Sequence, residues 1–143
     1  MPLQTTTGKF GAWKNGFLSI NGVDLSSFAR TVTLKRNGKI VPLTAMGDDD
    51  DVSGASTKSW TLEVEFYQSY YAAEVDATLD PLVGAAAFPL IIRPDSGTIG
   101  DLNPQWDGSL LLTDYQPLGG SHGEELMAPT SFTGTGTLVR TIA

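Results

Sequence analysis

Four consecutive aspartates, Asp48 to Asp51, are the densest group of chemistry-bearing side chains in this sequence. Hard cations such as Ca²⁺ take several carboxylate oxygens, so the run is tested first as a calcium loop. Counting from Asp48, the third position is Asp50, but the fifth is Val52. The sixth is Ser53 where that loop needs glycine, and the twelfth is Ser59 where it needs a bidentate glutamate. Adjacent carboxylates also repel one another, and the run reads as a solvated acidic loop. Glu63 and Glu65 stand two apart, which on a strand puts both on one face. A glycosidase acid and base can share such a face, but so can any water-facing sheet surface, which is the reading favoured here. His122 is the one histidine, within Gly119-Gly-Ser-His-Gly-Glu-Glu. Its neighbour Ser121 does not make a triad, whose members converge in space from a rigid scaffold. Gly119–Gly120 and Gly134/Gly136 lack the lysine and the strand-to-helix setting of a phosphate loop. No catalytic residue, metal or cofactor is assigned, and the chain is expected not to be an enzyme.

The elements that must position these residues centre on 59–84. Trp60, Leu62, Val64 and Phe66 alternate with Thr61, Glu63 and Glu65, which predicts a half-buried strand. The period then changes: Tyr71, Val75, Leu79 and Leu82 are spaced as one face of a helix. Ser69 is its expected N-cap, Glu74 and Asp76 suit its start, Pro81 ends or distorts its last turn, and Gly84 closes it. Trp60, Leu62, Val64 and Phe66 are expected to pack against Val75 and Leu79.

Elsewhere the pattern is β. Asn21-Gly22 and Asn37-Gly38 each lie between strand-like runs and predict hairpins. Pro42 predicts an edge or a departure from the ladder. Residues 45–58 hold two glycines and no apolar periodicity, and predict a long mobile loop. Phe88 to Arg93, Ser109 to Tyr115 and Pro129 to Ile142 predict further strands. Gly134 and Gly136 share a face of the last one, as expected where another element, here the helix, comes close. Residues 1–16, with Phe10 and Trp13, predict an N-terminal arm. The fold class is thus all-β with one accessory helix, a sandwich or barrel in a single domain.

Bulk properties agree. The chain has 143 residues, 41% hydrophobic and 17% charged, with 16 glycines and 8 prolines, in keeping with one turn-rich β domain. No apolar run is long enough to span a membrane, and the N-terminus lacks a secretory apolar region. Without cysteine there is no disulfide or thiolate chemistry, and folding in a cytoplasm is expected. The net charge of −7 has the wrong sign for a sequence-independent nucleic-acid binder. Charge is uneven: before Gly47 stand Lys9, Lys14, Arg30, Lys35, Arg36 and Lys39 against Asp24, whereas from Asp48 onward only Lys58, Arg93 and Arg140 oppose the acids. Such a split suits the basic end of one copy meeting the acidic end of another.

The order of elements resembles the major tail tube proteins of long-tailed bacteriophages. Val41-Pro-Leu-Thr-Ala-Met-Gly-Asp, Trp60-Thr-Leu-Glu-Val-Glu-Phe-Tyr-Gln, Val75-Asp-Ala-Thr-Leu, Arg93-Pro, Asn103-Pro and Tyr115-Gln-Pro-Leu-Gly-Gly are similar to phrases in small tail proteins of siphophages of actinobacteria. The likeness covers roughly Thr31 to Val139. The resemblance implies a virion protein, assembled in the host cytoplasm, whose copies form hexameric rings stacked into a tube for genome delivery. It implies that the partners are the chain itself and other tail proteins such as the tape measure and the terminator, with DNA only a transient cargo and no membrane. Under it, the loop 45–58, with Asp48, Asp49, Asp50, Asp51, Val52 and Lys58, would contact the next ring. Glu63 and Glu65, or else the threonine face of the last strand, would line an acidic lumen. The alternatives are a capsid decoration or head–tail joining protein, or a carbohydrate-binding module using Trp13, Trp60 or Trp106.

Overall fold

The computed structural model describes residues 15–100 and 102–142; the expected arm and its Trp13 lie almost wholly outside them. Seven strands form one antiparallel sheet: β1 (Phe17–Ile20), β2 (Val23–Asp24), β3 (Ala29–Pro42), β4 (Ser53–Tyr67), β5 (Phe88–Arg93), β6 (Gln105–Tyr115) and β7 (Met127–Thr141), in the order β2-β1-β5-β6-β7-β4-β3. One short helix, α1 (Val75–Leu79), runs into a 3-10 turn at Asp80–Leu82.

Two expected turns come out differently. At Asn21-Gly22 both residues take positive φ, 52° and 82°, and Ile20 pairs with Val23. That is the tight hairpin turn that the dipeptide favours. Asn37-Gly38, by contrast, does not turn. Both lie inside β3, where Asn37 faces Ser59 and Gly38 faces Lys58 of β4. The register slips between Gly38 and Ile40, so the glycine marks a bulge in a long strand. Pairing with β4 outweighs the local turn preference, because 53–58, expected to be loop, are themselves strand. β3 is an edge strand, as Pro42 suggested.

One face of β4 carries Trp60, Leu62, Val64 and Phe66, all buried, and they join one core cluster with Val75, Leu79, Leu82, Leu110 and Phe132. Phe88 meets Phe132 edge to face, with ring centres 5.9 Å apart, a favoured aromatic geometry. The helix is shorter than its periodicity suggested. Ser69 is not its N-cap: Glu74 holds that place, with no side-chain cap. Ser69 instead binds across the entry turn, its hydroxyl donating to the Glu74 carboxylate and its carbonyl accepting from the Asp76 N–H. Tyr71, expected on the apolar face, is 80% exposed, because the chain is still turning there and Ala73 adopts a φ of 60°. Pro81 falls inside the 3-10 turn, where its missing N–H is tolerated.

Candidate functional site

β7 pairs with β4 only from Thr61 to Tyr67. Beyond Thr61 the sheet forks. β7 continues with β6 from Gly134 to Thr141, whereas 53–59 of β4 continue with β3 alone. Trp60 sits in the fork. Its indole N–H donates to the Gly136 carbonyl at 3.2 Å, and a Cβ on Gly134 would lie 2.2 Å from the ring. The close approach foreseen at the last strand is therefore made by Trp60, not by the helix. Gly108 on β6 lies under the same indole.

The consequence is a two-stranded ribbon, 37–42 with 53–59, with no third strand on either side among the described residues. Its end is an ordered turn. The Leu43 N–H donates to Val52 O at 2.7 Å, the Val52 N–H to Thr44 Oγ1 at 2.8 Å, and the Ala45 N–H to Asp48 Oδ2 at 2.7 Å. Asp48 thus closes the turn, while Asp49, Asp50 and Asp51 are exposed beside it and Lys58 is exposed on the stem. The ribbon also displays Ile40, Leu43, Met46 and Val52 to solvent, with Met46 fully exposed. A two-stranded ribbon with apolar side chains in water is marginally stable alone, so its length and exposure suit a surface that another molecule covers.

Glu63 and Glu65 lie on the face opposite the core. Thr33 and Ser131 flank Glu63, and Thr31 and Pro129 flank Glu65. Together they form a shallow hydroxyl- and carboxylate-lined depression. Arg30 reaches Glu65 at 3.9 Å with both side chains about half exposed, a pairing that contributes little. Farther along this surface Thr113 and Thr133 share a hydroxyl hydrogen bond of 2.6 Å. The glutamates and the threonine-bearing last strand, offered as alternative lumen faces, therefore belong to adjoining parts of one polar surface.

At the other end of β4 is a cluster built on Tyr115-Gln-Pro-Leu-Gly-Gly, which the sequence marked only through the resemblance. Gln68 donates to the Tyr115 hydroxyl at 3.0 Å and to Pro117 O at 2.6 Å, and Tyr70 donates to the same carbonyl at 2.7 Å. Tyr115 in turn donates to the Asp76 carboxylate at 2.7 Å. Burial, followed by that carboxylate's proximity, holds the Tyr115 phenol far above its ordinary value. Tyr70, Tyr71 and Leu118 are exposed around this knot, and Leu126 is at its margin. His122 lies in an exposed turn of the same loop. Of the tryptophans offered above for a sugar-binding module, Trp106 is a half-buried residue of β6 opposite Ile92 and Arg140, and Trp60 is buried. Among the described residues no group of three or more His, Cys, Asp or Glu side chains is arranged to hold a metal ion.

No family model and no curated protein matches the sequence. Solved structures do. A chain of the virion of a native gene transfer agent particle aligns over 91% of this chain and 98% of its own length, at 14% identity and a TM-score of 0.67. One from the tail of an empty gene transfer agent particle, refined with C6 symmetry, aligns over 96% and 98%, at 14% identity and a TM-score of 0.65. A chain of the sheath–tube complex of an extracellular contractile injection system, in its extended state, aligns over 98% and 99%, at 7% identity and a TM-score of 0.67. The all-β fold with one short helix is thus shared with chains of a virion, of a C6-symmetric tail and of a sheath–tube complex.

Proposed function

We propose that this chain is the structural subunit of a tail tube, polymerising as hexameric rings that stack into a channel for genome delivery. The observation that carries the proposal is the end-to-end match of its fold to chains of a C6-symmetric tail and a sheath–tube complex. Two features of the molecule support it. The ribbon and its turn, with Asp48 to Val52 and Lys58, extend past the core where a neighbouring ring would meet them. The carboxylates of Glu63 and Glu65 have the sign that suits a passage for DNA, since like charge repels phosphate, and they share their surface with Arg30 and Lys35. Glu63 and Glu65 are therefore assigned to the lumen. The partners are other copies of the chain, with the tape measure and terminator at the ends of the tube and DNA as passing cargo. The location is the tail of a long-tailed phage particle of the siphophage kind, built in the host cytoplasm.

The test is light scattering on the purified protein, followed by negative-stain electron microscopy of the same fraction. Hollow stacked rings are the expected result. A closed trimer with no tubes would overturn the proposal in favour of a decoration protein.

A further inference from the structure

The strand order ends in β2 and β1 on one side and in β3 on the other, and among the described residues no ladder joins the two sides. β2 pairs only with Ser19 and Ile20 of β1, so Phe17 and Leu18 lie beyond it. The two sides still face each other across a cleft. Phe17 and Leu18 of β1 line it together with Ala29, Arg30 and Val32 of β3 and Ile92 of β5.

The cleft has a volume of about 150 Å³, and a cavity of about 150 Å³ takes one six-membered aromatic ring. Its walls are mixed. Leu18 and Ile92 belong to the core, whereas Arg30 and Ser26 add polar groups. The Leu18 N–H donates to Ser26 Oγ at 2.8 Å, and the Ser26 hydroxyl donates to the Asp24 carboxylate, so this part of the wall is tied down. Phe17, Ala29 and Val32 are only half-buried, and covering them would remove apolar area from water.

The described chain enters the fold at this place. Gly16 lines the cleft, and the Asn15 carbonyl accepts from the Ser96 N–H at 2.7 Å. That bond fixes where residues 1–14 join the sheet. Those residues carry two aromatics, Phe10 and Trp13. Trp13 stands three positions before Gly16, so their Cα atoms are at most about 11 Å apart. So short a tether gives Trp13 an effective concentration at the cleft of the order of millimolar or more, ahead of any second copy. An indole suits mixed walls, having an apolar body and one N–H donor. Charge does not decide the contact. Lys9 and Lys14 flank the aromatics, and around the cleft and the chain entry Asp24 and Asp95 offset Arg30 and Arg93.

We infer that Trp13 folds back into this cleft of its own copy and latches β1 to β3 across the gap that the sheet leaves open. The contact lies within one subunit, goes beyond the tube reading and is independent of it.

Thiol protection tests it, and because the chain has no cysteine each introduced thiol is the only one. Ala29→Cys puts a thiol on the wall of the cleft. Val75→Cys puts one at a fully buried position of α1, which only opening of the whole fold uncovers. Each is made alone, with Trp13→Ala and with Phe10→Ala, and its reaction with an aromatic disulfide reagent is followed at concentrations too low for polymer to sediment. Circular dichroism melting verifies folding, and Val32→Cys replaces Ala29→Cys if the latter does not fold. Trp13→Ala is expected to speed reaction at position 29 by roughly tenfold or more, with position 75 far slower in every background. Phe10→Ala is expected to leave position 29 as it was. Equal rates at position 29 with and without Trp13 would overturn the latch. So would rates at positions 29 and 75 that become equal, because Trp13 would then act on the whole fold. A rise at position 29 with Phe10→Ala and none with Trp13→Ala would overturn the assignment to Trp13. A tethered contact does not depend on concentration, so protection lost on dilution would give the cleft to a second copy and overturn the contact within one.

Discussion

Trp60 and Gly134 illustrate what single residues decide in this molecule. The indole occupies the space where a side chain at 134 would stand, so Gly134→Ala forces a methyl into a ring that is 2.2 Å from the Cβ position. Overpacking of that kind costs about 1–3 kcal/mol, and urea unfolding is expected to show a loss in this range with an unchanged slope. Tyr115 sets a second expectation. Its phenol is held well above the ordinary value of 10.0 by burial and by Asp76. In the folded chain it keeps its proton where the unfolded chain loses it. Its contribution is therefore complete below the unfolded value and is lost as pH rises above about 10 towards the folded one. Tyr115→Phe is expected to cost about 1–3 kcal/mol at neutral pH through the lost hydrogen bonds. It also flattens the decline in stability above pH 10, measured by chemical denaturation across pH. At this scale the sequence was partly legible. The alternation through Phe66 named the buried face, and paired glycines on the last strand announced a close neighbour. It could not say that the neighbour was Trp60, because a glycine records an approach and not what approaches.

At the scale of elements, the ribbon allows folding and the proposed assembly to be tested separately. Its apolar side chains lie outside the core, so Leu43→Ser/Met46→Ser is expected to change stability by no more than about 0.5 kcal/mol. The same variant is expected to lose most of its polymer in sedimentation, since those side chains are largely exposed in the monomer. Equal polymer yield would remove the ribbon tip from the contact. The ribbon was also the least legible element. Asn37-Gly38 has the chemistry of a hairpin and 53–58 lack apolar periodicity, yet they form a long paired arm. Periodicity reports burial on one face, and a ribbon exposed on both faces has none to report. The helix boundary was misjudged for a related reason. Tyr71 falls in register with Val75 and Leu79, but spacing alone cannot show that the chain has not yet begun to coil.

At the scale of the whole molecule, the all-β class with one accessory helix was legible from the count of strands, the one change of period and the turn-rich composition. Strand order was not, since β5 inserts beside β1 and β7 beside β4 through contacts distant in sequence. If Glu63 and Glu65 face a channel, Glu63→Lys/Glu65→Lys copies are expected to fold and assemble. Their tubes would retain DNA added at low salt, as wild-type tubes would not, measured by co-sedimentation across a salt series. A salt-independent result equal to wild type would remove these residues from the lumen.

The 14 residues of β3 form one border of the sheet, and Lys35, Arg36 and Lys39 stand along that border exposed. Backbone groups on such a border are a template for indiscriminate pairing, and a row of cations is one way to forbid it. Two copies brought together border to border repel, and salt screens that repulsion. With a screening length of about 8 Å at physiological salt and about 3 Å at 1 M, side-by-side adhesion is expected to grow from the first condition to the second, measured by light scattering across a salt series.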